Sequence, residues 1–271
     1  MNRLIHTLAL IALLLVAPLA RAELKVLACE PEWGALVKEL AGDKVSVYVA
    51  TTALQDPHRI EARPSLVAAA RNAGLVVCTG AELEVGWLPL LIRQSGNSAI
   101  QPGKPGHFEA AAYVRMLDVP QRLDRADGDV HAAGNPHIQT DPRNIALVAE
   151  PLARRLAELD PANAATYQAR SADFQARWKA AIQRWEQSAA PLRGVPVVVL
   201  HKAFPYLQQW LGLVEVAALE PKPGVEPTSA HLSTVLAGLK TRPAKMILRA
   251  AYNDPRGADW LAERTQLPVV V

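Results

Sequence analysis

Short apolar runs, each followed by a helical pattern opened by Pro or closed by Gly, recur along most of this chain. That alternation constrains its fold more than any other feature. Leu24–Ala28 reads as a strand, and Pro31 then opens a helix through Ala41 that Gly42 closes. Residues 45–51 form a β-branched run, residues 64–73 a short Ala-rich helix stopped by Gly74, and Val76-Val77 a buried strand. Residues 83–94 read as a helix ended near Gly96. Strands separated by helices predict a parallel sheet covered by helices.

The middle of the chain differs. Residues 102–134 are rich in Gly, Pro and Asp and read mostly as loop. Pro142–Leu159 carries Ile145, Val148, Leu152, Leu156 and Leu159 at helical spacing. Pro161 starts a second helix, with Tyr167, Phe174, Trp178, Ile182 and Trp185 in one stripe running to about Ser188. That stripe reads as core packing, and a helix of about 25 residues spans about 37 Å, enough to brace two lobes. Alternation then resumes: strands at 195–200, 214–219, Met246–Leu248 and 269–271, helices at 202–211, 229–240 and 257–264. The expected fold is α/β: two lobes, each a parallel sheet flanked by helices, joined by a long rigid helix. The boundaries are 23–140 for the N-terminal lobe, 141–190 for the helical linker and 191–271 for the C-terminal lobe. A ligand cleft is expected between the lobes, beyond the carboxyl ends of the strands.

Residues 1–22 read as a secretory signal peptide. Arg3 supplies the positive start, residues 8–16 are wholly apolar, and Ala20-Arg21-Ala22 puts small residues where a signal peptidase reads. The apolar run is shorter than the ~20 residues needed to span a bilayer. The destination implied is an oxidising space, the periplasm. Cleavage leaves 27 positive against 26 negative side chains, and basic clusters are lacking, so nucleic acid is not the expected partner. Half of the residues are apolar and the charged 20% are well mixed, which excludes a disordered chain and a multispan membrane protein. Cys29 and Cys78 each end an apolar run. On neighbouring strands they could form a disulfide; the alternative is two buried, unpaired thiols.

Six histidines remain after the signal: His58, His107, His131, His137, His201 and His231. Three fall where the architecture wants a ligand. His58 follows the second strand, His137 precedes the first long helix, and His201 directly follows the strand Val197-Val198-Val199-Leu200. Neutral imidazole is a common zinc ligand, and three closing over one ion would form a site across the cleft. Asp141 is an N-cap before Pro142 and could also orient His137. Glu61 could act likewise beside His58, or sit in solvent.

These residues resemble a family. Asp56-Pro57-His58-Arg59-Ile60-Glu61 with Pro64-Ser65, then Asn135-Pro136-His137-Ile138-Gln139-Thr140-Asp141-Pro142, then His201-Lys202-Ala203-Phe204-Pro205-Tyr206 and Glu226-Pro227-Thr228-Ser229, are similar to the successive signatures of periplasmic solute-binding proteins of zinc and manganese ABC transporters. The resemblance covers nearly the whole mature chain in matching order. It implies His58, His137 and His201 as metal ligands and a membrane permease as the partner of a monomer that performs no chemistry. Three departures stand out. Gln139 lies where the family often has Trp. The long His-rich loop of zinc members is reduced to His107, Asp124, Asp127, Asp129 and His131, which reads as an ordinary acidic loop more readily than as an accessory metal-collecting one. The final strand stops at Val271 before the Asp that often serves as a fourth ligand, so either the chain is cut short or water completes the site. Asp254 and Asp259 are poor substitutes.

Three imidazoles favour zinc, whereas manganese prefers more carboxylate oxygen and is the alternative cargo. A zinc-dependent hydrolase is a weaker reading, because HExxH, Gly-x-Ser-x-Gly, GxGxxG and phosphate-loop patterns are absent.

Overall fold

The computed structural model describes residues 23–124, 126 and 128–271. The signal-peptide expectation for residues 1–22 falls outside them. Among the described residues, no helix is long and apolar enough to cross a membrane.

Two four-stranded parallel sheets make up the framework. The first contains β1 (Leu24–Ala28), β2 (Val45–Val49), β3 (Leu75–Cys78) and β4 (His107–Glu109), in the order β2-β1-β3-β4. The second contains β5 (Pro196–Val199), β6 (Val214–Ala218), β7 (Met246–Leu248) and β8 (Val269–Val270), in the order β6-β5-β7-β8. Both orders place the first strand of the lobe inside the sheet and run the chain outward on each side of it. In such a sheet the ligand crevice lies beyond the carboxyl ends of the central strands.

Side chains alternate across each strand, so the apolar runs feed two cores at once. Val26 and Ala28 with Leu75 and Val77 face α1 (Pro31–Ala41), α4 (Pro142–Leu159) and α5 (Ala164–Ser188). Leu27, Cys29, Val76 and Cys78 face α2 (Pro64–Asn72) and α3 (Leu88–Ser95). In the second sheet, Val198 and Ile247 pack under α7 (Ser229–Gly238) and α8 (Arg256–Thr265), while Val197 and Val199 meet α6 (Pro205–Leu211). Each fully buried aliphatic side chain of this kind contributes about 2 kcal/mol. Helix α1 shows why the pattern reads so clearly. Pro31 opens it, Trp33, Leu36, Val37 and Leu40 are buried on one stripe, and Gly42 ends it at φ 62°. It lies so close to the sheet that a Cβ on Gly34 would come within 2.6 Å of Val49.

Three elements differ from the sequence reading. The expected helix at 83–94 starts only at Leu88. Ahead of it, Ala81 and Glu82 adopt positive φ, and the Glu84 carboxylate accepts the Thr79 and Gly80 N–H groups at 2.7 and 3.0 Å. The carboxylate has taken the place of a helical turn, and Pro89 then sets the true start. The helix expected from Lys202 begins at Pro205 for the same reason. The middle segment is not all loop, since His107–Glu109 adds an edge strand to β3. Cys29 and Cys78, side by side at the ends of β1 and β3, are joined by a disulfide, with Cα atoms 4.8 Å apart.

Between the sheets, α4 and the 25-residue α5 pack along each other. Asp141 caps α4 by accepting the Arg143 N–H at 2.8 Å. A second tie comes from Tyr206 on α6. Its ring is buried in the core of the first sheet, and its hydroxyl donates to Asn135 O (2.7 Å) while accepting the Leu117 N–H (3.0 Å).

Candidate metal centre

Two of the three candidate histidines are set by one local device. In Asp56-Pro57-His58, the Asp56 Oδ1 accepts both the His58 backbone N–H (3.0 Å) and its Nδ1 (2.7 Å). In Asn135-Pro136-His137, the Asn135 Oδ1 accepts the His137 backbone N–H (3.0 Å) and its Nδ1 (2.9 Å). Pro between the two fixes φ and brings no competing N–H, so the side-chain oxygen closes the turn onto the imidazole. His201, directly after β5, obtains the same constraint from a distance: its Nδ1 lies 2.7 Å from Glu220 Oε2, just past β6. A hydrogen on each Nδ1 leaves the Nε2 lone pair free to bind a cation.

The three rings converge. Ring centroids lie 5.4 Å apart for His58–His137, 5.7 Å for His58–His201 and 5.3 Å for His137–His201. One ring nitrogen from each lies within 4.8 Å of the other two. Bonds of ~2.0 Å in a tetrahedral site put ligand nitrogens about 3.3 Å apart, so small ring movements close the set on an ion. His58 Nε2 and His137 Nε2 are buried and without a hydrogen-bond partner. A buried nitrogen left unpaired costs free energy, and two aimed at one point mark a place for an electrophile. Pro57 O accepts the Trp87 indole N–H at 2.8 Å, which anchors the His58 turn. Asn135 also donates to Lys202 O at 2.7 Å, so one residue orients His137 and holds the chain beside His201.

The flanking carboxylates differ from those expected. Asp141 is committed to Arg143, with contacts of 2.6–3.0 Å, and Asn135 orients His137 in its place. Glu61 is exposed, and Asp56 serves His58. The repeated Asx-Pro-His pattern was the available signal for Asp56 and Asn135. Glu220 left none, because only the β5–β6 pairing brings it to His201.

The loop residues separate. His107 begins β4 and uses both ring nitrogens locally, on Ile100 O (3.0 Å) and Glu109 (3.1 Å), so it is not part of an accessory loop site. His131 stacks on His58 with centroids 5.5 Å apart, beside a cavity of about 320 Å³ that Asp129, His137 and His201 also line. Its segment is strapped down at both lobes, Ala132 N–H to Glu82 (2.6 Å) and Asp129 N–H to Pro223 O (2.8 Å). Asp127 lies outside the described residues.

Burial depresses two of the imidazoles. It holds His137 well below 6.5, helped by His201, His58 and His131, and brings His131 down to about 4, helped by His58. For Asp56, burial acts upward, but hydrogen bonds from His58 outweigh it and keep the carboxyl below its ordinary value. Below pH 6.5 the unfolded chain binds protons at both histidines that the folded chain refuses, so each favours unfolding as the pH drops toward the folded value. Imidazole NMR of the metal-free protein should therefore find His131 titrating near 4. His137 should still be neutral where a free histidine has charged. A midpoint near 6.5 for both would contradict this packing.

Known proteins resemble this chain in sequence and in fold. A family model described as ZnuA, zinc-uptake complex component A periplasmic, matches residues 26–271. The high-affinity zinc uptake system protein ZnuA of Paracoccus denitrificans is 26% identical over 275 residues, covering 88% of this chain and 79% of its own. The manganese ABC transporter substrate-binding lipoprotein PsaA of Streptococcus pneumoniae is 22% identical, covering 91% and 78%. A zinc-bound ZnuA deletion mutant superimposes with a TM-score of 0.75 at 25% identity, covering 91% of this chain and 88% of that one.

Proposed function

This chain belongs to the family of periplasmic zinc-uptake components, and from that premise we propose that it captures one zinc ion through His58, His137 and His201 and delivers it to an ABC transporter permease. The observation that carries the reading is the convergence of three imidazoles, each tied at Nδ1 and open at Nε2. Donor chemistry favours zinc over manganese: three nitrogens suit a borderline ion, and no carboxylate belongs to the group of three. The lobes would be 23–140 and 191–271, with 141–190 as the brace. In this reading a cleaved leader takes the chain to the periplasm, where it acts as a monomer.

His137 need lose no proton before binding, because burial already keeps it uncharged. Asp56 and Glu220 then compensate the charge of the ion at one remove, as hydrogen-bond acceptors of the ligand rings. Tyr206 and Asn135 hold the lobes at the spacing the ion needs.

Titration of the metal-stripped chain against a chromophoric chelator should return one zinc per chain, with manganese bound far more weakly. Glu220→Gln should lower zinc affinity by about 10- to 100-fold, because the amide holds His201 less firmly and adds no negative charge. Glu61→Gln should leave it unchanged. Tighter binding of manganese than of zinc would refute the cargo assignment. An unaltered Glu220→Gln variant would refute the role of that carboxylate.

A further inference from the structure

Away from the three histidines, α1, α4, α5 and the last turn of α6 line a cavity of about 520 Å³. Its aromatic wall is continuous: Phe174 stacks on Trp178 at 5.2 Å, Trp178 meets Trp185 edge-on at 5.3 Å, and Trp185 meets Trp210 at 6.5 Å. The expected core stripe of α5 therefore divides. Tyr167 and Phe174 are buried, whereas Trp185 is 41% exposed at the cavity mouth.

Two acceptors lie in this wall with no side-chain donor on them. Glu32, in the first turn of α1, makes no ion pair among the described residues; burial raises its pKa, and a hydrogen bond from its own backbone N–H offsets only part of that. Gln139 Oε1 is buried and unbonded. The other acids nearby are occupied, Glu39 by Arg177 at 2.8 Å and Glu186 by the Trp210 indole N–H at 3.0 Å. Two of the three tryptophan donors are spent as well, Trp178 on Pro142 O at 2.7 Å and Trp210 on Glu186. The cavity thus offers aromatic faces, the Glu32 carboxyl and one unpaired amide oxygen.

We propose that this cavity is a binding site for a small organic cation, a primary ammonium carrying an aromatic or branched apolar body. The ammonium N–H groups satisfy Glu32 and Gln139, a charge-assisted pairing. The indole faces attract the positive charge and cover the apolar body. An anion would meet Glu32, and a neutral apolar molecule would bring neither acceptor a donor. The site is separate from metal capture and does not depend on it.

The test uses the full zinc-loaded chain and its own tryptophan fluorescence. Phenethylammonium chloride should quench saturably, with a dissociation constant below about 1 mM, and 2-phenylethanol of the same shape should bind at least about tenfold more weakly. Glu32→Gln should weaken phenethylammonium by about tenfold or more, and Trp185→Leu severalfold, while Glu39→Gln changes it little. Circular dichroism of each variant establishes its fold, and the comparison of the two probes on the unaltered chain needs no variant. Equal binding of amine and alcohol, full retention in Glu32→Gln, or no saturable response up to about 10 mM would each overturn the proposal.

Discussion

His201→Ala is expected to weaken zinc binding by about a thousandfold, close to 4 kcal/mol, while the metal-free protein keeps its secondary structure and melting point. The reasoning starts from position. His201 follows an inner strand of the second sheet and is only 6% exposed, so its ring is held in place by its surroundings. Two imidazoles and water would be left on the ion, and the bridge between lobes would be lost, because His58 and His137 both precede α4. The fold should survive the change. Glu220, deprived of the ring, still accepts the Gly224 N–H at 2.8 Å, so the truncation strands no carboxylate. The loss should exceed that of Glu220→Gln, which perturbs a ligand without removing it. Competition titration of both variants against the parent checks the order. Zinc affinity within threefold of the parent in His201→Ala would exclude the three-histidine site.

Much of this centre was legible because its information is local. Asp56-Pro57-His58 and Asn135-Pro136-His137 are complete devices within three residues, and the apolar run 197–200 ending in His201 signals a strand end facing a cleft. The helices opened by Pro31, Pro64 and Pro142 were legible for a similar reason, since Pro at the first turn fixes φ where an N–H would be idle. What escaped depends on contacts across the fold. Glu220 reaches His201 only because β6 pairs with β5, and His131 reaches His58 only because its segment is held by Glu82 and Pro223. The turn before α3 escaped because a single carboxylate, Glu84, outcompetes the helical pattern by capturing two backbone donors. The division of the α5 stripe between core and cavity could not be read from periodicity, which gives a face and not its neighbour.

The disulfide is the element whose removal should cost the most stability. Cys29 and Cys78 are buried and separated by 49 residues, and the chain between them includes α1, β2, the His58 turn and α2. Closing a loop of that length restricts the unfolded chain by about 4 kcal/mol in the loop-entropy model. The double variant Cys29→Ala/Cys78→Ala avoids leaving a lone thiol in the core of the first sheet. It should melt about 8–16 °C below the parent when both are metal-free. Both sulfur positions lie at the carboxyl ends of β1 and β3, on the side of the sheet from which the His58 turn leaves β2. The same loop therefore supplies a ligand, and saturating zinc should recover part of the lost stability through binding to the folded form alone. Thermal denaturation of parent and variant, each with and without excess zinc, separates the two staples. A variant melting within about 2 °C of the parent would mean that the sheet contacts of β1 with β2 and β3 already restrict the unfolded chain, leaving the cross-link little to add.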